Sequence, residues 1–158
     1  MHPIDVAGAE LRVRLLQTAP VLGDVDTNLA EIDAAVSTAA VIGTDLVVTP
    51  ELSACGYDLG MVPGLRPMGL DDPRLCRIGE HGVATLVGMA ERALHGQHNS
   101  AVLLGGGEPV VQRKLTLPTY RGWEERKHFL PGGRVRTIRA AGVSIATLIC
   151  NDIWQPQL

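Results

Sequence analysis

Apolar and polar positions change period along this chain, and each change marks an element. From Glu10 to Leu15 the order alternates, with Leu11, Val13 and Leu15 apolar and Glu10, Arg12 and Arg14 charged. A period of two predicts a strand. Between Val25 and Gly43 the period lengthens, and Leu29, Ile32, Ala35, Val36 and Ala39 fall on one face of a helix. Asp26 or Thr27 is the predicted cap and Gly43 the predicted end. The run Asp45-Leu46-Val47-Val48-Thr49-Pro50 is nearly continuous in apolar residues and stops at proline, which suits a parallel strand buried on both faces. The opening therefore reads as strand, helix, strand, with the two strands parallel neighbours joined by a right-handed crossover.

From Ser53 to His81 glycine and proline break every period, which predicts a long loop with one helical turn near Asp72 to Gly82. Three strands are predicted next, in "VATLVGMAERA", "NSAVLLGG" and "PVVQRKL", and "VRTIRAAGVSIATLI" reads as a hairpin bending at Ala141 and Gly142. Helical patterns are scarce after Gly82. The expected class is α/β, with a sheet that turns partly antiparallel.

Composition narrows the function. The chain has 158 residues, 46% hydrophobic and 20% charged, and a net charge of -3. That length holds one core. The balance leaves no basic footprint for nucleic acid or an anionic membrane, and the aromatic residues are only Tyr57, Tyr120, Trp123, Phe129 and Trp154, too few and scattered to stack bases. A small-molecule or protein partner is expected instead. Cys55, Cys76 and Cys150 are odd in number and widely spaced, so neither a disulfide framework nor a zinc knuckle is indicated. The N-terminus lacks a basic segment followed by an apolar one, and no apolar run is long enough to span a bilayer. A cytoplasmic protein is the expectation.

Chemistry collects at strand ends. Glu51, Lys114 and Cys150 each follow an apolar run, and the carboxyl edge of an α/β sheet is where sites assemble. A thiolate attacks carbonyl or nitrile carbon, a carboxylate takes its proton and later activates water, and an ammonium stabilises an oxyanion. Singly, each has a commoner explanation: a buried thiol, or a solvated acid or base. "GGGEP" reads as a hairpin turn because no Lys-Ser or Lys-Thr pair and no helix follow it. "HGQH", with Asn99 and Ser100 after it, reads as a polar loop and not as a metal site.

The flanking residues decide between these explanations. "LVVTPELSACGY", "RKLTLPTYRGWEERKHFLPGG" and "LICNDIWQP" occur in that order and together resemble the three catalytic blocks of the nitrilase superfamily of carbon-nitrogen hydrolases. Gln17, Pro20, Gly23, Asp24 and Asn28 resemble its opening strand and helix. Within the superfamily the middle block is most similar to the glutaminase domain of glutamine-dependent NAD synthetases, although Trp123, Glu124 and Asn151 replace the commoner Phe, Asp and acid.

The resemblance implies an α-β-β-α sandwich, its C-terminal part missing here. It also implies a hydrolase that cleaves a non-peptide carbon-nitrogen bond of a small carboxamide through a cysteine thioester with release of ammonia, or alternatively the glutaminase part of a glutamine-dependent NAD synthetase. Glu51, Lys114 and Cys150 are the implied triad, with the Asn151 N–H at the oxyanion and no metal or organic cofactor. Glu125 is either a second glutamate that positions substrate near the lysine or a surface acid in a charged turn. Asp152 is expected to anchor the turn after the nucleophile, and Tyr57 to pack in the loop after Glu51. The resemblance further implies that residues 1–158 are a truncated hydrolase domain, because the family continues for roughly a hundred residues past the cysteine. Sheet edges and an uncovered apolar face are then expected to favour a homo-oligomer or association with the missing half. A catalytically incompetent fragment or partner subunit is the alternative.

Overall fold

A computed structural model describes residues 10–57, 59, 66–120, 124–140 and 142–158. Trp123 and Ala141 therefore lie outside the described residues. Strand β1 (Val13–Leu15) leads into helix α1 (Val25–Val41) and strand β2 (Leu46–Val48). Helix α2 (Pro73–Glu80) follows, then β3 (Ala84–Ala93), β4 (Gly96–Leu104) and β5 (Val110–Arg113). A hairpin of β6 (Thr137–Ala140) and β7 (Val143–Ala146) precedes the 3-10 turn Cys150–Trp154.

The first five strands form one sheet in the order β1-β2-β3-β4-β5. β1 pairs parallel with β2 and β2 with β3, whereas β3-β4 and β4-β5 are antiparallel. This is the partly antiparallel sheet that the pattern predicts. Alternation along each strand gives the sheet two apolar faces. Val47, Val87, Met89, Val102 and Leu104 pack with Leu29, Ile32 and Val36 of α1 and Leu75 and Ile78 of α2. On the opposite face Leu46, Leu86 and Leu103 pack against Ile138 and Ile145 of the hairpin. Three layers are thus present, helices, sheet and sheet, and no second helical layer occurs among the described residues.

Several expectations shift. The cap of α1 is Asp24, not Asp26 or Thr27: its carboxylate accepts from Thr27 N at 3.1 Å and Thr27 Oγ1 at 2.8 Å. The predicted single turn near Asp72 is a helix of 8 residues, capped by Asp72 and opened by Pro73, whose missing N–H costs nothing there. His98, Asn99 and Ser100 lie within β4 and are buried, so that segment is strand and not polar loop. Val13 and Leu15 alternate as predicted but remain 46% and 75% exposed, on the edge strand of the sheet.

Candidate active site

Glu51 stands on a tight turn after β2, fastened by the neighbouring strand. Thr49 Oγ1 accepts from Gly88 N at 3.1 Å and lies 2.6 Å from Ser53 Oγ, while Ala54 N donates to Gly88 O at 2.9 Å. Leu52 takes a positive φ of 53° within the turn. The close approach requires glycine at position 88, since a Cβ there would lie 2.2 Å from Pro50 O and 2.7 Å from Leu52 N. Asn28 secures the turn from α1, its Nδ2 donating to Ala54 O at 3.2 Å and to Val21 O at 2.8 Å.

Gly88→Ala is accordingly expected to cost about 3 kcal/mol, because the atoms in the way are backbone. It should also reduce turnover by displacing Glu51. Urea unfolding measures the first effect, and a wild-type midpoint would mean that the turn yields without strain.

Lys114 follows β5 and is 1% exposed. Its Nζ donates to Glu51 Oε1 and to Glu125 Oε1, both at 2.6 Å. Burial opposes its charge, but the bonds to Glu125 and Glu51 outweigh it and hold the lysine pKa above its ordinary value. Glu125 opens the 3-10 turn Glu125–Lys127 and is fully buried, so the surface-acid reading is overturned. Its neighbour Glu124 does take the surface role, pairing with Lys127.

Two further side chains join this cluster. Asn99 Nδ2 donates to Glu51 Oε1 at 2.7 Å, and the Tyr57 hydroxyl donates to Glu125 Oε1. Burial first, and then the bond to Glu125, push the Tyr57 pKa far up and keep the phenol a donor. Tyr57 thus belongs to the site and does not merely pack in its loop. The signal for Asn99 is a polar run, His98-Asn99-Ser100, opening an otherwise apolar strand beside the segment that bears Lys114.

Cys150 begins the last 3-10 turn with a φ of 47° and lines the same small cavity as Glu51, of about 130 Å³, together with Gly88, Thr147 and Leu148. Desolvation raises its thiol pKa, Glu51 raises it further, and Lys114 partly offsets both. Asp152 fixes the turn. Fully buried, it accepts from Thr116 N at 2.7 Å, Leu115 N at 3.1 Å and Ile149 N at 3.2 Å. This is the expected anchor, and it also ties the cysteine to the segment after Lys114. Asn151 is half-buried within the same turn.

Other candidates stay apart. His98 Nδ1 lies 2.7 Å from the Leu130 carbonyl, Cys55 is buried in the helix-side core, and "GGGEP" links β4 to β5 as a turn. Among the described residues no three His, Cys, Asp or Glu side chains are grouped to hold a metal ion.

A family model of carbon-nitrogen hydrolases matches residues 12–158. The chain belongs to this family. As a carbon-nitrogen hydrolase it is 34% identical over 152 residues to a glutamine-dependent NAD(+) synthetase from Thermotoga maritima, covering 92% of this chain and 26% of the relative. It is 32% identical over 157 residues to an (R)-stereoselective amidase from Pseudomonas sp., covering 93% of this chain and 54% of that protein. The chain therefore spans about a quarter and about half of these relatives' lengths.

Its α/β fold is of the nitrilase type. It superposes with a TM-score of 0.78 and 25% identity on an amidase variant from Nesterenkonia sp. AN1, covering 94% of this chain and 60% of that one. The amidase carries acrylamide added to its active-site cysteine. Among the described residues of this carbon-nitrogen hydrolase, no helix is long and apolar enough to cross a membrane.

Proposed function

We propose that this hydrolase releases ammonia from a small carboxamide through a thioester on Cys150. The observation that carries the reading is the buried Lys114 ammonium bonded to both Glu51 and Glu125, with Cys150 beside Glu51 on one cavity. Glu51 takes the proton from the thiol as sulfur attacks the carboxamide carbon. Lys114 and the Asn151 N–H hold the oxygen as it gains charge. The proton then passes to the departing nitrogen, the carbon-nitrogen bond breaks, and the acyl group remains on sulfur. Glu51 next takes a proton from water, whose oxygen attacks the thioester, and the acid leaves with the thiol restored. Glu125 holds Lys114 and positions the substrate, and Tyr57 and Asn99 fix the two carboxylates.

Glutamine is the substrate in a second reading, in which the chain is the glutaminase part of an NAD synthetase. It is favoured by the Thermotoga maritima relative and by similarly named proteins from Acinetobacter baylyi and Xylella fastidiosa. The test is ammonia release from glutamine beside acetamide and propionamide, with mass spectrometry of the quenched protein. An acyl adduct mapping to the Cys150 peptide is expected. A large preference for glutamine selects the second reading, whereas an adduct on Cys55 or Cys76, or no ammonia from any amide, overturns both.

The raised thiol pKa adds a check with a defined sign. Burial and Glu51 push the Cys150 thiol up, and Lys114 pulls it down. Glu51→Gln removes a raising charge and leaves the lowering one, so the pH midpoint of Cys150 alkylation by iodoacetamide should fall. Turnover should drop by about 10²- to 10⁴-fold in the same variant. A midpoint that stays or rises counts against the carboxylate as the thiol's proton acceptor.

A further inference from the structure

The strand positions that feed the Lys114 cluster also feed a second polar cluster behind it. Asn99 and Lys114 meet Glu51 on the hairpin side of the sheet. Their chain neighbours Ser100 and Arg113 are paired in register and, by alternation, face the helix side. There they meet Glu91, 2% exposed, which accepts from Ser100 Oγ at 2.7 Å, Arg113 Nε at 2.8 Å and Arg113 Nη2 at 2.5 Å.

In front of this cluster lies a cavity of about 440 Å³, lined by Leu70, Val111, Glu91, Arg113, Arg134 and Arg136. Three arginines and one glutamate line it, and that glutamate is already paired with Arg113. Arg134 and Arg136 make no ion pair among the described residues. Both are solvent-exposed, so water screens them and their donors stay open to an incoming anion.

The segment bearing them is fixed in advance. Gln112, 2% exposed, donates from Nε2 to Arg134 O at 3.2 Å and accepts at Oε1 from Arg136 N at 2.7 Å. Gly132 N donates to Lys114 O at 2.7 Å, and a Cβ at Gly132 would lie 2.5 Å from Arg113 O. The backbone is held on both sides of Gly133, so little ordering remains to be done when a ligand arrives.

We propose that this cavity binds a phosphate group, free or carried on a small molecule, gripped by Arg134 and Arg136. Two unneutralised guanidinium forks match a dianion better than a single carboxylate. Leu70 and Val111 offer apolar contact to an organic body.

The test is titration of the whole chain with inorganic pyrophosphate and with phenyl phosphate at constant ionic strength, read by calorimetry and backbone amide NMR. Saturable binding below about 10 mM is expected, with amide shifts centred on Gly133 to Arg136. Affinity should fall at least about tenfold in an Arg134→Gln/Arg136→Gln variant and stay unchanged in Arg139→Gln, an exposed control on β6. Binding of pyrophosphate alone assigns the site to the free anion, and tighter binding of phenyl phosphate to a carried group. Absence of saturation, shifts centred elsewhere, an unaffected double variant, or tighter binding of a single-stranded oligonucleotide than of either probe overturns the proposal. If the double variant does not fold, the wild-type shift map decides alone.

Discussion

Cys150→Ala is expected to lower ammonia release from small carboxamides by at least about 10⁴-fold, the scale on which removing a nucleophile acts, with the fold intact. Cys150 is exposed, so losing its sulfur opens no cavity. Alanine meets the same backbone strain at a φ of 47° as cysteine does. Asp152 anchors the turn through the main-chain N–H groups of Leu115, Thr116 and Ile149, none of which the substitution alters. The variant should therefore match wild type in circular dichroism and urea midpoint while losing turnover. Turnover above about one per cent of wild type would move the nucleophile to another group.

Lys114→Met is expected to act on stability and catalysis together. The ammonium joins Glu51 and Glu125 at 2.6 Å each, and Glu125 has no solvent exposure. Methionine fills similar volume and leaves the carboxylates facing each other without a cation. Removing one partner from a buried pair costs about 3–5 kcal/mol, most of it the unpaired charge that remains. Urea unfolding should show this loss, and turnover should fall by at least about 10²-fold through the lost oxyanion contact. Because partial unfolding also lowers turnover, the activity comparison belongs well below the urea midpoint of the variant. Glu125→Gln supplies the contrast: it keeps a hydrogen-bond acceptor beside Lys114, and its stability loss should be smaller. Equal losses in both variants would mean that charge pairing is not what holds the cluster.

The residues differ in how much of their role could be read from sequence. Glu51, Lys114 and Cys150 stand out by the blocks that flank them, since each alone reads as a buried thiol or a solvated acid or base; Glu51 and Lys114 follow strands of one sheet, whereas Cys150 follows the separate hairpin. The strands themselves were legible, since alternation at β1 and the apolar run at β2 survive in the fold. Glu125 was ambiguous because "EERK" is charged throughout, and only the fold determines which of its acids turns inward. Tyr57 and Asn99 were missed as site residues. Their partners lie 68 and 48 positions away, and no local period records such a contact. Helix α2 is only partly legible although Asp72 and Pro73 form a recognisable cap and first position. The prolines and glycines before it interrupt any helical period and mask that pair.

The Asp152 clamp carries a consequence for variation. Every bond it accepts comes from a main-chain N–H, at Leu115, Thr116 and Ile149. Side chains at those three positions are thus free of the task of holding the Cys150 turn in place. Sequence can drift there, residue by residue, while one carboxylate keeps the Cys150 turn fastened to the segment that follows Lys114.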